Sequence, residues 1–585
     1  MRRYLLFVSL ILAVLSSCDQ KEQNGNPWYD PNEPWPDQGE TEKPGDGSSE
    51  EGAVALYNGI VLPDVWPPKS MIQSSDAVMD VPWLGKMHPG TVPIDVGRQL
   101  FVDDFLVEST NLERRHHKPV KYSGNPILTS ETELERPSTH FKGACPKDGG
   151  IWWEPRKNAF MMWYEAGWLN TMAYAESKDG LIWERPALTS GGTNEIVSIK
   201  DLVPNTCAVV LDYDAPETER YKMFFRQPNA NAKDSKGVSM VSADGITWTR
   251  RTVSGYCGDK STMFYNPFRK VWVYSIRSVG KLGSTKYGRT RYYHENSDFL
   301  AGAGWTPTDV VFWCRADKKD EQDPQIKLPA QLYNLNAVAY ESVMLGLHQI
   351  LVDENEDAMN AGRPKVTDLK VSFSRDGFHW HRPDREAFIP SSRTVGEWDR
   401  GYVQSVGGIC AVMGDELWFW YSGFRGNANR PGHSASLHDD SSTGLAILRR
   451  DGFTSMSGTG DLVTVPVTFT GKYLFVNVAA VSGKLKVEVL DKDSKVIAGF
   501  GSAECKPLSV DSTIAQIEWE GKNDLSELVG KQVRFRFILE SGDLYSFWVS
   551  PSVNGESNGY VAGGGPGFTS NVDTVGKDSY ISENK

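Results

Sequence analysis

The chain is 585 residues long and carries 62 Lys and Arg against 75 Asp and Glu, a formal net charge of -13. That balance leaves no basic footprint and excludes nucleic acid or an anionic lipid surface as the main partner, whereas a neutral polar ligand fits. With 55 glycines, 32 prolines, 11% aromatic residues and little helical periodicity, a turn-rich β protein of two or three domains is indicated and a helical fold excluded.

The first residues, "MRRYLLFVSLILAVLSSC", place two arginines before an apolar run that is too short to span a bilayer. The run ends in Leu15-Ser16-Ser17-Cys18, which resembles a bacterial lipobox. Residues 1–18 therefore read as a lipoprotein signal peptide, with Cys18 as the lipidation site. No later stretch reaches the roughly 18 apolar residues a spanning helix needs. The expected location is outside the cytoplasm, lipid-anchored to a bacterial membrane and by preference the outer one, with the lipid as the only membrane contact. Residues 19–55 are acidic and rich in Pro and Gly, the composition of a flexible linker. The six later cysteines, Cys145, Cys207, Cys257, Cys314, Cys410 and Cys505, lack metal or disulfide spacing and read as buried core residues.

Between residues 95 and 456 a pattern recurs. "SKDGLIW" at Ser177, "SADGITW" at Ser242 and "SRDGFHW" at Ser374 share Ser-x-Asp-Gly-apolar-x-Trp, and each follows two strand-like runs. Asp-Gly between such runs predicts a hairpin closed by a two-residue type I′ turn. A worn copy holds Ser297, Asp298 and Trp305, and a fifth unit places Asp451-Gly452 at its turn. Five units of four strands predict a five-bladed β-propeller. The preceding run, "GRQLFVDDFLVESTNLERRHHKPVKYSGNPIL", supplies the strand expected to complete the last blade and close the ring. Residues 457–550 alternate apolar and polar without this order and predict a small β-sandwich. Residues 551–585 form a Gly/Ser-rich tail expected to be partly disordered. The fold class is all-β.

These units, together with "CGDKSTMFYNPFRKVWVYSIRS", "YNLNAVAYESVMLGL" and "VQSVGGICAV", resemble exported bacterial proteins labelled glycoside hydrolase family 32-like. That resemblance implies the five-bladed fold of the family 32 and 43 glycosidases, with carboxylates at the mouth of the central channel and a carbohydrate substrate. The family 32 motifs Asn-Asp-Pro-Asn-Gly, Arg-Asp-Pro and Glu-Cys-Pro are absent, so positions come from propeller geometry. Beginnings of innermost strands and ends of second strands converge on one mouth. The former nominate Lys147-Asp148, Asn205, Asp259, Asn334, Asn336 and the stretch from Asp399 to Gln404. The latter give Glu165, Arg226, Arg277 and Arg425.

Glycoside hydrolysis needs two carboxyl groups. Asp148, Asp259 and Asp399 are the catalytic candidates, and Glu165 is an alternative proton donor to Asp399. Glu165, Asn205, Arg226, Arg277, Asn336, Gln404 and Arg425 are the substrate-binding candidates, the arginines suiting a carboxylate. Trp152, Trp153 and Trp168 could stack on sugar rings, although blade packing is the commoner use of tryptophan in such a chain. Glu341 falls on the far face, where a structural role is expected. No cofactor is called for and no loop has calcium spacing, yet asparagine and aspartate oxygens at the mouth leave calcium open. Two competing readings are a lipoprotein that captures glycans without cleaving them and a sialidase, which would need an arginine triad on six blades.

Overall fold

The computed structural model describes residues 54–69, 76–227, 235–277 and 288–580. The signal peptide, Cys18 and the linker up to residue 53 lie outside the described residues. The rest is an all-β chain in which the longest helix is the six-residue Asn355–Asn360.

Five blades follow in chain order among the described residues. Blade 1 is Ala144–Glu154, Ala159–Ala166 and Thr171–Ser177, with Glu184 bridged to Glu176 as an outer rung. Blade 2 is Thr206–Leu211, Tyr221–Gln227, Lys236–Ser242 and Thr249–Tyr256. Blade 3 is Thr262–Asn266, Val271–Arg277, Thr290–Asn296 and Val311–Arg315. Blade 4 is Gln331–Glu341, Val343–Leu351 and Thr367–Ser374, with His381 bridged to Phe373. Blade 5 begins with Gly401–Gln404 and Ala411–Met413 and continues through Glu416–Phe424 and Ser441–Arg449. Its outer strand is Val120–Lys121, which pairs with Ala446 and Ile447, so a strand preceding blade 1 closes the ring. Strands such as "AFMMWYEA" are buried at every position because each lies between two neighbouring blades, which is why they read as apolar runs rather than as alternation.

The repeated Ser-x-Asp-Gly does close hairpins, by a different turn from the predicted one. Gly180, Gly245 and Gly377 have φ of 75°, 77° and 84°, but the aspartates before them stay out of the left-handed region, which type I′ would require. Instead each aspartate accepts the N–H groups two and three residues on: Asp179 from Leu181 and Ile182, Asp244 from Ile246 and Thr247, Asp376 from Phe378 and His379. The serine hydroxyls accept the glycine N–H at 2.8–2.9 Å. The turn then latches onto the preceding blade. Trp163 donates to the Gly245 carbonyl at 2.6 Å, Trp420 to Gly180 at 3.1 Å and Trp313 to Phe378 at 2.7 Å.

Beyond the propeller lies one eight-stranded sheet. Its central strands, Thr454–Thr464 and Arg534–Ser550, run side by side and carry left-handed residues at the same level, Gly458 (φ 114°) and Ser541 (φ 51°). Beyond that level the second strand exchanges Lys484–Leu490 for Tyr473–Ala479 as its partner. Three further strands come from before the propeller, Gln99–Leu100, Val107–Thr110 and Glu113–His116, so this sheet is not confined to residues 457–550. Edges left by the C-terminal strands are thereby paired.

The tail expected to be partly disordered is a strap over the far face of the propeller. Tyr560–Val561 pairs with Tyr340 and Glu341 of blade 4. Gly563 then accepts from Trp153 N–H of blade 1 and donates to the Cys410 carbonyl of blade 5, and Gly564 accepts from Val412. A Cβ at Gly565 would collide with the Val412 carbonyl, so this close crossing explains the glycine run that composition alone makes look disordered. Beside the strap, a fully buried ion cluster joins the pre-propeller segment, blade 4, the exit of blade 5 and the tail. Arg98 pairs with Asp451 (3.1 Å) and Glu341 (3.5 Å), and Arg450 with Glu341 (3.3 Å) and Asp573 (3.2 Å). Glu341 is therefore structural, and burial pushes its carboxyl above the usual range.

Candidate functional site

The mouth is shaped by three breaks in strand alternation. In blade 1 the register slips between Cys145 and Gly150, and Lys147 and Asp148 both take positive φ, 46° and 70°. This bulge is accommodated because the following residue is Gly149, whose Cβ would strike the Trp163 carbonyl. Lys260 (φ 61°) and Tyr402 (φ 53°) repeat the device at the starts of blades 3 and 5. Bulky residues in this conformation are strained, and such strain concentrates at functional positions.

On the axis stands a closed polar network. Asp148, 0% exposed, accepts from the Lys260 ammonium and from the side-chain amides of Asn334 (3.0 Å) and Asn336 (3.3 Å). Lys260 also donates to Gln404 Oε1, and Asn336 to Ser405 Oγ at 2.8 Å, so blades 1, 3, 4 and 5 meet through side chains. Burial pulls the Lys260 ammonium down to about 8, outweighing the opposing pull of Asp148. Oxygens that could have held calcium on the axis face this ammonium instead, a donor set that does not fit a metal. Among the described residues no His, Cys, Asp and Glu cluster could hold one.

Toward solvent lie two further ion pairs. Glu165 is engaged by Lys147 and accepts the Leu169 N–H at 2.6 Å. The Lys147 ammonium sits 3.8 Å over the Trp168 ring, and His438 stacks on that ring at 3.8 Å and 7°. Both faces of Trp168 are thereby covered, so it does not offer a sugar platform. Trp152 and Trp153 donate to backbone carbonyls within the ring and the strap. Asp259 pairs with Arg277, their side chains 10% and 19% exposed. Its Oδ2 also lies 3.4 Å from the Tyr333 hydroxyl. That hydroxyl in turn meets the Tyr402 hydroxyl and the Lys365 ammonium, each at 3.0 Å.

Below the axial network a cavity of about 40 Å³ runs between Asp148 and Asn336 at one end and Tyr560, Ala562 and Asn571 of the strap at the other. One water needs roughly 10–15 Å³ of such volume, so this space suits a few waters and no sugar ring.

Of the residues nominated from sequence, Asp148, Asn336 and Gln404 share the axial network, while Glu165, Asp259 and Arg277 form the outer ion pairs. Asn205 precedes Thr206, whose hydroxyl accepts the Lys260 N–H at 2.9 Å. Arg226 bonds Ser235 Oγ at 2.8 and 3.1 Å. Two nominees lie elsewhere. Asp399 is held by Lys121 of the closing strand (2.6 Å) and the Tyr421 hydroxyl (3.1 Å). It packs instead against the second strand of its own blade, where Gly423 leaves room for it. Arg425 is 48% exposed on a loop and pairs with Asp440 at 3.3 Å. With five blades and Arg425 apart, the sialidase arrangement is not formed.

Lys260, Tyr333 and Lys365 are the residues sequence reasoning misses, whereas Tyr402 falls within the nominated stretch from Asp399 to Gln404. Lys260 and Tyr333 are each chain neighbours of a nominated residue. Left-handed backbone at Lys260 decides that the lysine, and not Asp259, takes the axis.

No protein-family model and no curated protein matches the chain. Among solved structures it is similar to an N-acetylgalactosamine deacetylase from F. plautii at 14% identity and TM-score 0.38, over 59% of this chain and 96% of that one. It is also similar to a fructofuranosidase from Schwanniomyces occidentalis (10%, TM-score 0.33, 73% and 98%) and to a thermostable family-43 glycoside hydrolase (12%, TM-score 0.36, 52% and 89%). Likeness this low transfers neither a residue correspondence nor an activity, and the five-bladed all-β fold stands on the strand pairing described above.

Proposed function

We propose that this chain is a glycoside hydrolase-like protein that acts on a poly- or oligosaccharide at the propeller mouth, exported and tethered by lipid at Cys18. The reading is carried by one observation: Asp148, Glu165 and Asp259, from two non-adjacent blades, are gathered at one mouth with Lys147, Lys260 and Arg277. Glycosidic cleavage through an oxocarbenium-like state calls for carboxylate charge beside the anomeric carbon. Asp259, the most exposed of the three, takes the role next to the sugar. Sealed Asp148 fixes Lys260.

The test is a screen of the chain from residue 19 onward against plant and host glycans, alongside Asp259→Asn. Sugar release by the parent, reduced at least about a hundredfold in the variant with the glycan still bound, supports hydrolysis. A second reading, capture without cleavage, is favoured by the fact that each of the three carboxylates already faces a cation. Binding without release from any glycan would establish it.

A further inference from the structure

If hydrolysis occurs here, a proton must reach the leaving oxygen, and the usual donor is a protonated carboxyl. At this mouth each carboxylate is committed to an ion pair: Asp148 with Lys260, Glu165 with Lys147 and Asp259 with Arg277. A carboxylate in an ion pair can serve as base, nucleophile or electrostatic support, but it has no proton to lend.

A different donor is present. Lys365, 3% exposed, has no carboxylate partner among the described residues. Its ammonium donates to the Tyr333 phenol oxygen at 3.0 Å and lies 4.8 Å from the ring centres of both Tyr333 and Tyr402. The Tyr402 hydroxyl approaches the same phenol oxygen at 3.0 Å. The Tyr333 hydroxyl is directed at Asp259, on the open side of the mouth. Tyr333, itself only 2% exposed, therefore has a cation and a hydroxyl at 3.0 Å from its oxygen, and its third contact, at 3.4 Å, runs to Asp259, whose side chain is 10% exposed. This is the constellation that supports a phenol giving up its proton.

We propose that Tyr333 is the proton-transferring residue of this site and that Lys365 is its positioning partner. The assignment rests on the hydrolase reading above. As the glycosidic C–O bond breaks, the phenolic proton passes to the leaving oxygen, which departs as a neutral alcohol. The phenolate that remains is held by the Lys365 ammonium and the Tyr402 hydroxyl. Water then supplies a hydroxyl to the anomeric carbon and returns its other proton to Tyr333, so that one water is consumed per bond cleaved. Asp259, ionised against Arg277, supports the positive charge that develops on the sugar.

The experiment compares the wild-type chain, Tyr333→Phe, Lys365→Met and Lys365→Arg on a panel of methyl and 4-nitrophenyl glycosides. An alkoxide leaving group needs the proton, and 4-nitrophenolate does not. Tyr333→Phe should lose about 10²–10⁴-fold in kcat on the methyl glycoside and less than about tenfold on its nitrophenyl counterpart, with KM changed by less than about threefold on both. Lys365→Met should show the same leaving-group dependence, and Lys365→Arg, which keeps the charge, should recover most of the rate. Equal losses on the two substrates, or no loss on either, overturn the assignment while the hydrolase reading survives. Failure of the wild-type chain to cleave any glycoside removes both.

Discussion

Lys260 holds the position at which side chains of blades 1, 3, 4 and 5 meet. Its ammonium is shared between Asp148 and Gln404, with Lys147, Glu165 and Arg291 as the other charges acting on it or on its partner. Burial releases its proton at about 8 instead of the usual 10.5. Between those values the folded chain binds fewer protons than the unfolded one, so the stability attributable to this residue rises with pH across that window. Ligand affinity that depends on the ammonium holding Asp148 in place falls around pH 8, where the folded chain gives up that proton. The two trends have opposite sign, and pH-resolved thermal denaturation beside ligand titration will separate them. Lys260→Met should abolish both. A stability contribution that falls above pH 8 would show that the ion pair with Asp148 outweighs burial.

At the level of the hairpin, the Ser-x-Asp-Gly units act as joints between blades as well as turns within them. Asp244→Ala removes the acceptor for two exposed backbone N–H groups and should cost about 0.5–1.5 kcal/mol. Gly245→Ala places a Cβ 2.6 Å from the Trp163 ring at a φ of 77°, and a loss of about 2–4 kcal/mol is expected. Chemical denaturation of the two variants beside wild type measures both, and a change below about 0.5 kcal/mol in Gly245→Ala would contradict the latch. These joints show why the ring is legible in the sequence: Asp-Gly and Trp recur at fixed offsets because each blade repeats one local hydrogen-bond pattern. The turn type is not legible, since the aspartate side chain competes with the backbone for the same N–H groups. Strand starts point to the mouth, and Asp148, Asn336 and Gln404 are found together there. Whether Asp259 or Lys260 takes the axis depends on a single left-handed residue, and the displacement of Asp399 depends on packing against Gly423, neither of which a period-2 pattern encodes. Tyr333 and Lys365 read as ordinary strand and loop residues until blade 4 is folded.

Across the whole molecule, both ends of the chain finish structures begun elsewhere. Val120–Lys121 closes blade 5, residues 99–116 complete the C-terminal sheet, and residues 560–573 cross blades 4, 1 and 5. Truncation after Ser550 removes the strap and deprives Arg450 of Asp573 inside a fully buried ion cluster. Breaking such a cluster costs about 3–5 kcal/mol before the lost strap contacts are counted. The shortened chain should therefore melt at markedly lower temperature and become open to proteases at the far face, as calorimetry and limited proteolysis will report. An unchanged melting curve would mean the strap is only draped over the ring.

The strap also sets a timetable for biogenesis. A ribosome delivers blade 1 long before the glycines that cross it, so no intermediate on the way out of the tunnel can seal the far opening. A message that stops before the codons for residues 560–573 should leave a product that cellular proteases clear, although every blade has already been made.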